Sequence, residues 1–181
     1  MRIVAGSAKG TRLGSVPAGT RPVSDRAREG LFSSLGDRVR GARVLDLFAG
    51  TGAMGLEALS RGAAGATFVD SSPRSVHVIR QNLLRTRLAG LGTVRRQDVL
   101  RALRQGIGSF ELVILDPPYR APAAYLDAVL AEIAGQRGAA VGATVVLSRS
   151  DLSYTPVIPV HWQLERRLSY GNSVLLVFQT P

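Results

Sequence analysis

The chain contains no cysteine, which excludes disulfides and thiolate-held metal centres. Its two histidines, His77 and His161, are isolated and offer little else for a metal, so none is expected. No apolar run approaches the roughly 18 to 20 residues of a membrane span. The opening MRIVAGSAKG lacks the charged-then-apolar layout of a signal peptide. A cytoplasmic location is the resulting expectation. Lysine is almost missing: Lys9 stands alone among 23 basic side chains. No internal repeat or low-complexity tract is visible.

What is present is a chain of 181 residues, 45% apolar, enough for one substantial core with or without a small appendage. Its formal charge is +10. An arginine skew can arise from genomic base composition, so the distribution of charge is the better guide. Residues 1 to 43 carry nine basic against three acidic side chains, +6, and the other 138 carry fourteen against ten, +4. An excess concentrated at one end points to a surface for a polyanion, and nucleic acid is the expected partner.

Two rhythms divide the chain. RIVAGSAKGTRLGSV has short β-prone pieces around Gly6 to Gly10, which predict a basic-tipped hairpin. Ser24 then caps a helix striped by Leu31, Phe32 and Leu35. From residue 43 strands and helices alternate. ARVLDLFAG, ATFVD, GTVRRQD, FELVILD and GATVVLSRS read as strands. Helices are expected in AMGLEALSRGA, SPRSVHVIRQNLLRTRLAG, VLRALRQG and PAAYLDAVLAEIAGQ. The tail has two strand-like segments around Tyr170-Gly171-Asn172 and reads as an antiparallel edge hairpin. The expectation is an α/β, Rossmann-like fold: a mostly parallel seven-stranded sheet, helices on both faces, an antiparallel edge pair and a small N-terminal extension. Residues 1–20 are expected to form the extension and 21–181 the main domain.

Ligands of such folds sit at the carboxyl ends of the strands. Those ends collect Asp46, the loop Gly50-Thr51-Gly52, Asp70, Asp98 and Asp116-Pro117-Pro118-Tyr119. Four carboxylates on one edge repel one another unless donors, water or a cationic ligand intervene. GTGAMG satisfies G-x-G-x-x-G, and Asp70 follows Gly50 by 20 residues, as in a dinucleotide fingerprint. Against a dinucleotide, Asp46 falls in the bend where a pyrophosphate would lie and repels it at close range. It suits a ligand with a cationic amino-acid end, and S-adenosylmethionine has an ammonium, a sulfonium and no phosphate. Asp70 would take the ribose hydroxyls and Asp98 the adenine amino group, with Phe48 and Val99 as apolar contacts or as core.

Asp116-Pro117-Pro118-Tyr119 then reads as an amine-methylating turn. The lone pair of an exocyclic base amine is delocalised into its ring. Acceptors aimed at the amine hydrogens favour a pyramidal nitrogen and stabilise its developing positive charge. Asp116 offers a carboxylate oxygen, Pro117 a main-chain carbonyl and Tyr119 a stacking face. His77, His161, Trp162 and Tyr125 are assigned no chemistry.

LDLFAGTGAMGLEALSRGA, FVD and LVILDPPY, in this order, resemble a class I methyltransferase that methylates amines. D-P-P-Y alone also fits adenine-N6 methyltransferases, and a close variant fits glutamine methylation. The opening MRIVAGSAKGTRL with RPVSDRAREGLFSSL narrows the resemblance to the RsmD family, which methylates N2 of a guanine in 16S ribosomal RNA. Motifs run from Met1 to Tyr119, and the YGNSVLLVF tail agrees in character. The resemblance implies that Asp46, Gly50, Gly52, Asp70 and Asp98 line the donor pocket. It assigns Asp116, Pro117, Pro118 and Tyr119 to the target base, and Arg21 with Pro22 to the mouth of the site. The hairpin, with Arg2, Lys9 and Arg12, would grip RNA. Val23 stands where threonine is common, and Asp70 where glutamate is frequent. The implied partner is 16S rRNA or the small ribosomal subunit, and the chain is expected to act as a monomer. An adenine-N6 methyltransferase and a non-catalytic ribosome-assembly factor are the competing expectations.

Overall fold

The structure, a computed structural model, describes residues 1–15, 23–118, 120–150, 154 and 156–181. The expected elements form in the expected order. The Ser24 hydroxyl accepts the Ala27 N–H and starts α1 (Asp25–Leu35), which buries Ala27, Leu31, Phe32 and Leu35. The alternating region gives β1 (Arg43–Leu47), α2 (Ala53–Ser60), β2 (Gly65–Asp70) and α3 (Pro73–Arg85). There follow β3 (Gly92–Arg96), α4 (Val99–Arg104), β4 (Ser109–Leu115), α5 (Ala123–Ala134) and β5 (Gly138–Ser150). The chain closes with β6 (Gln163–Tyr170) and β7 (Ser173–Gln179).

All seven strands join one sheet in the order β3-β2-β1-β4-β5-β7-β6. The first five run parallel, and β7 inserts antiparallel between β5 and β6. Side chains alternate across a strand, so β1 and β4 feed two separate cores. Val44, Leu112 and Ile114 pack with α1, α2 and α3 on one face. Leu45, Leu47, Val113 and Leu115 pack with α4 and α5 on the other. The apolar stripe of α5 (Leu126, Val129, Leu130, Ile133) follows the helical period.

Two boundaries differ from expectation. α3 stops at Arg85, short of Gly90, with no glycine or proline among the next four residues. Arg87 takes the left-handed conformation at φ 60, and the Leu88 N–H closes on the Leu83 carbonyl at 3.0 Å. That is the closure glycine usually serves, here held by packing of Leu83 and Leu88 in the same core. β5 begins at Gly138 rather than near Gly142, because Gly138 and Ala139 pair with Ser109 and Phe110 before the register shifts.

The N-terminal extension folds back antiparallel around the bridge of Arg2 opposite Arg12: the Ile3 N–H donates to the Thr11 carbonyl at 3.0 Å, the Gly10 N–H to the Ile3 carbonyl at 2.9 Å and the Leu13 N–H to the Met1 carbonyl at 3.2 Å. Ile3, Ala8 and Leu13 are buried in the core with α1 and α2. Glu57 of α2, with no exposure, accepts the Val4 and Ala5 N–H groups at 2.8 and 3.0 Å and Arg61 Nε at 2.8 Å. Buried Arg28 stands 3.9 Å from Glu57 and donates to the Arg2 carbonyl and to Asp25. The boundary expected between residues 20 and 21 lies outside the described residues.

Candidate active site

β1 and β2 end side by side, and a loop with Gly50 and Gly52 joins β1 to α2. Both glycines have positive φ, 57 and 76, as the sharp strand-to-helix turn requires. A Cβ at Gly50 would meet no protein atom closer than 3.9 Å, so this backbone faces open space. Asp46 is buried, and its Oδ2 accepts the Gly55 N–H at 2.9 Å, fixing the start of α2. Its Oδ1 is buried with no hydrogen-bond partner among the described residues. Burial pushes the Asp46 carboxyl well above the usual range; the Gly55 bond opposes this, while Asp116 and Asp70 push it further up. Asp70 accepts Gly50 N–H on one oxygen and Ser72 N–H on the other, both at 2.8 Å. Its spare lone pairs face the same loop it orders.

Asp98 follows β3, the edge strand two places from β1. It is exposed, and its Oδ1 caps α4 by accepting the Arg101 N–H at 2.9 Å. Its Oδ2 accepts the Tyr125 hydroxyl at 2.6 Å. Burial, then the bond to Asp98, pushes the Tyr125 phenol up to about 12. The Tyr125 ring meets Phe48 edge-on, with centroids 6.2 Å apart. Phe48 is half-buried with φ 59, at the lip of the loop. Val99 is a core residue, packed with Ala102 and Leu103.

Asp116 follows β4 and donates its N–H to the Leu47 carbonyl at 3.3 Å, which sets it beside the end of β1. It is partly buried, and burial raises its carboxyl to about 6, against the opposing hydrogen bond from the Ser148 hydroxyl. Leu115 pairs with Leu147, so the strand register brings Ser148 to Asp116. Pro117 is buried and Pro118 exposed, with the Pro118 carbonyl taken by the Ala121 N–H at 2.9 Å. Tyr119 lies outside the described residues, as do Arg21 and Pro22.

Arg2, Lys9 and Arg12 are exposed, and none has an ion-pair partner among the described residues. Arg2 and Arg12 oppose each other across the bridge, an arrangement that repels until an anion intervenes. A second basic surface is not legible in the sequence: an open groove of about 430 Å³ lined by Pro73, Val76, His77, Arg80 and Arg96. Trp162 is buried against Phe178, just before β6.

Sequence reasoning thus locates the three clustered carboxylates and the glycine loop, but misses Ser148 and the Tyr125 contact. Ser148 carries no distinct local mark, since Thr144, Arg149 and Ser150 are polar members of the same strand, and only the β4–β5 register brings it to Asp116. Tyr125 has no local mark either. The donor set fits a cationic, phosphate-free ligand: an unpartnered buried carboxylate oxygen, a second carboxylate ordering the loop, and open glycine backbone between them.

The model of the family described as conserved hypothetical protein 95 matches residues 1–179. Ribosomal RNA small subunit methyltransferase D of Escherichia coli K12 is 33% identical over 99% of this chain and 89% of its own length. The solved structure of yhhF from Escherichia coli superposes with a TM-score of 0.85 at 33% identity, covering 99% of this chain and 97% of the other. An RNA methyltransferase from Salinibacter ruber, solved with S-adenosyl-L-homocysteine, shares the fold at 18% identity and a TM-score of 0.69, covering 89% and 94%. Matched along nearly its whole length, this chain belongs to the RsmD family of ribosomal RNA methyltransferases.

Proposed function

We propose that the chain transfers a methyl group from S-adenosylmethionine to the exocyclic N2 amine of a guanine in small-subunit ribosomal RNA, giving N2-methylguanosine. The observation that carries this reading is the juxtaposition of two chemistries on neighbouring strands. Asp116, an acceptor at the end of β4, is tied by its backbone to the end of β1, where Asp46 and the glycine loop form a cradle for a cation. When bound, S-adenosylmethionine supplies a methyl group on a positively charged sulfur.

The chain's own residues do the rest. Asp46, Gly50, Gly52 and Asp70 hold the donor, with Asp98 and Phe48 toward its adenosine end. Tyr125 holds the Asp98 carboxylate in place. The Asp116 carboxylate and the Pro117 carbonyl accept hydrogen bonds from the target amine and hold its lone pair outward. As charge develops on that nitrogen, Asp116 stabilises it and then takes the surplus proton. The family resemblance assigns Tyr119 to stacking on the base and Arg21 with Pro22 to the mouth, residues that lie outside those described. The Arg2–Arg12 pair and Lys9 contact RNA phosphates, and the Arg80–Arg96 groove adds a second cationic track. The acting unit is one chain, working in the cytoplasm.

An adenine-N6 methyltransferase would use the same turn, and an assembly factor would bind RNA without transfer. Incubation with labelled donor and methyl-deficient small subunits, followed by digestion of the RNA, separates the three. N2-methylguanosine is the expected product. Label in N6-methyladenosine, or RNA binding with no label incorporated, would overturn the proposal.

A further inference from the structure

Asn82 lies on the inward side of α3 between Ile79 and Leu83, with no solvent exposure. A carboxamide buried there must find partners, and it finds them in two separate segments. Its Oδ1 accepts the Gly14 N–H at 2.8 Å, and its Nδ2 donates to the Gly14 carbonyl at 3.3 Å. The same Nδ2 donates to the Thr51 carbonyl at 2.9 Å. Gly14 is where the basic extension leaves its Arg2–Arg12 bridge. Thr51 is the middle residue of Gly50-Thr51-Gly52. A Cβ at Gly14 would come to 2.9 Å from the flexible end of Arg85, at Nη1, and 3.4 Å from Asn82 Oδ1, so the peptide lies directly against the carboxamide. The extension reaches the loop from another side too, where the Thr51 hydroxyl lies 4.0 Å from Met1 Sδ.

An asparagine that only filled a core would tie its helix to one neighbour. This one divides its hydrogen bonds between the two elements that the proposed function assigns to different ligands. We propose that Asn82 is a positioning residue coupling RNA engagement at the N-terminal extension to the donor loop, so that RNA and methyl donor each tighten binding of the other. The inference rests on the functional reading above. A phosphate drawn between Arg2 and Arg12 holds the extension, the extension holds Gly14, and Asn82 carries that constraint to the Thr51 carbonyl. Freedom lost along this path to the first ligand is not lost again to the second. The effect must be reciprocal, since coupling is a single free energy shared by both sites.

The test is calorimetric titration of S-adenosylhomocysteine into the full chain, free and saturated with unmethylated small-subunit rRNA. Wild type is compared with Asn82→Ala, Asn82→Asp and Leu83→Ala. Asn82→Asp keeps the volume and the bond from Gly14 N–H but loses both donated bonds, which covers a failure of Asn82→Ala to fold. Leu83→Ala weakens packing on the same helix without touching the extension's peptide or the loop. RNA should tighten wild-type binding by about fivefold or more. The ratio should fall to about one in both Asn82 variants and persist in Leu83→Ala. An unchanged ratio in the Asn82 variants, or equal loss in Leu83→Ala, overturns the coupling. A wild type that binds both ligands independently refutes the coupling alone, whereas one that binds neither refutes the functional reading as well.

Discussion

Removing one hydroxyl, in Ser148→Ala, should move the pH at which the enzyme becomes active. Ser148 is buried and donates to the Asp116 carboxylate, favouring its charged form. With that bond in place the carboxyl lies at about 6, burial being the larger influence. A hydrogen bond to a charged acceptor contributes about 1.5–3 kcal/mol, or roughly one to two pH units at 1.36 kcal/mol each. Its loss should raise the inflection in kcat/KM from about 6 to roughly 7–8. At pH 7 the ionised fraction would fall from roughly 90% to between about 50% and 10%, and the two enzymes would converge near pH 9. The assay is transfer of labelled methyl to unmethylated rRNA from pH 5 to 9, with donor below its KM, so that the profile reports the free enzyme. Asp46 is also raised and couples to Asp116, so the inflection belongs to the pair, but only Asp116 loses a partner in this variant. Ser148→Thr should retain the wild-type profile. Equal loss of rate at every pH, or an unmoved inflection, would refute the assignment of Asp116 as the ionised acceptor.

Three further outcomes are expected. The folded Asp116 carboxyl lies above its ordinary value, so the stability it allows is present below about pH 4 and lost as pH rises toward 6. Asp116→Asn should therefore abolish transfer yet stabilise the free protein at pH 7, by about 1 kcal/mol once partial exposure is allowed for. That is a rise of about 2–4 °C in Tm that vanishes at pH 4; a lower Tm at pH 7 would contradict it. Glu57→Ala leaves the Val4 and Ala5 N–H groups without their acceptor and removes one of the two carboxylates beside buried Arg28, which keeps Asp25, and should cost about 3–5 kcal/mol in urea unfolding. A loss below about 1 kcal/mol would show that the extension is held by its apolar residues alone. Lys9→Ala with Arg12→Ala should raise the apparent KM for RNA and flatten its salt dependence by roughly 0.7–0.9 for each phosphate no longer neutralised. Affinity for S-adenosylhomocysteine measured without RNA should not change, and an unaltered salt slope would remove these residues from the interface.

The sequence by itself determined the order and kind of the elements, because those depend on short-range physics. Ser24 and Ser72 cap the helices that follow them, and the apolar runs of β1 and β4 could only be buried strands. It also placed Asp46, the glycine loop, Asp70 and Asp116 on one edge, since parallel strands joined by helices end on the same side. What it could not determine is which partner each carboxylate takes. The sequence reads Asp98 as a ligand contact like the others, but does not show that one of its oxygens accepts from Tyr125, 27 residues away. Asp116 meets Ser148 through the β4–β5 register, and Asn82 meets Gly14 and Thr51 at separations of 68 and 31 residues. The extension reads as a hairpin with a basic tip and folds back on itself as a short antiparallel pair around the Arg2–Arg12 bridge. Its arms are joined by three backbone hydrogen bonds, and side chains far along the chain, Glu57 and Asn82, anchor it to the main domain. Local pattern sets which residues can bear charge at a strand end. Only tertiary packing decides which of those charges is satisfied within the protein, and among the described residues it leaves Asp46 Oδ1 without a hydrogen-bond partner.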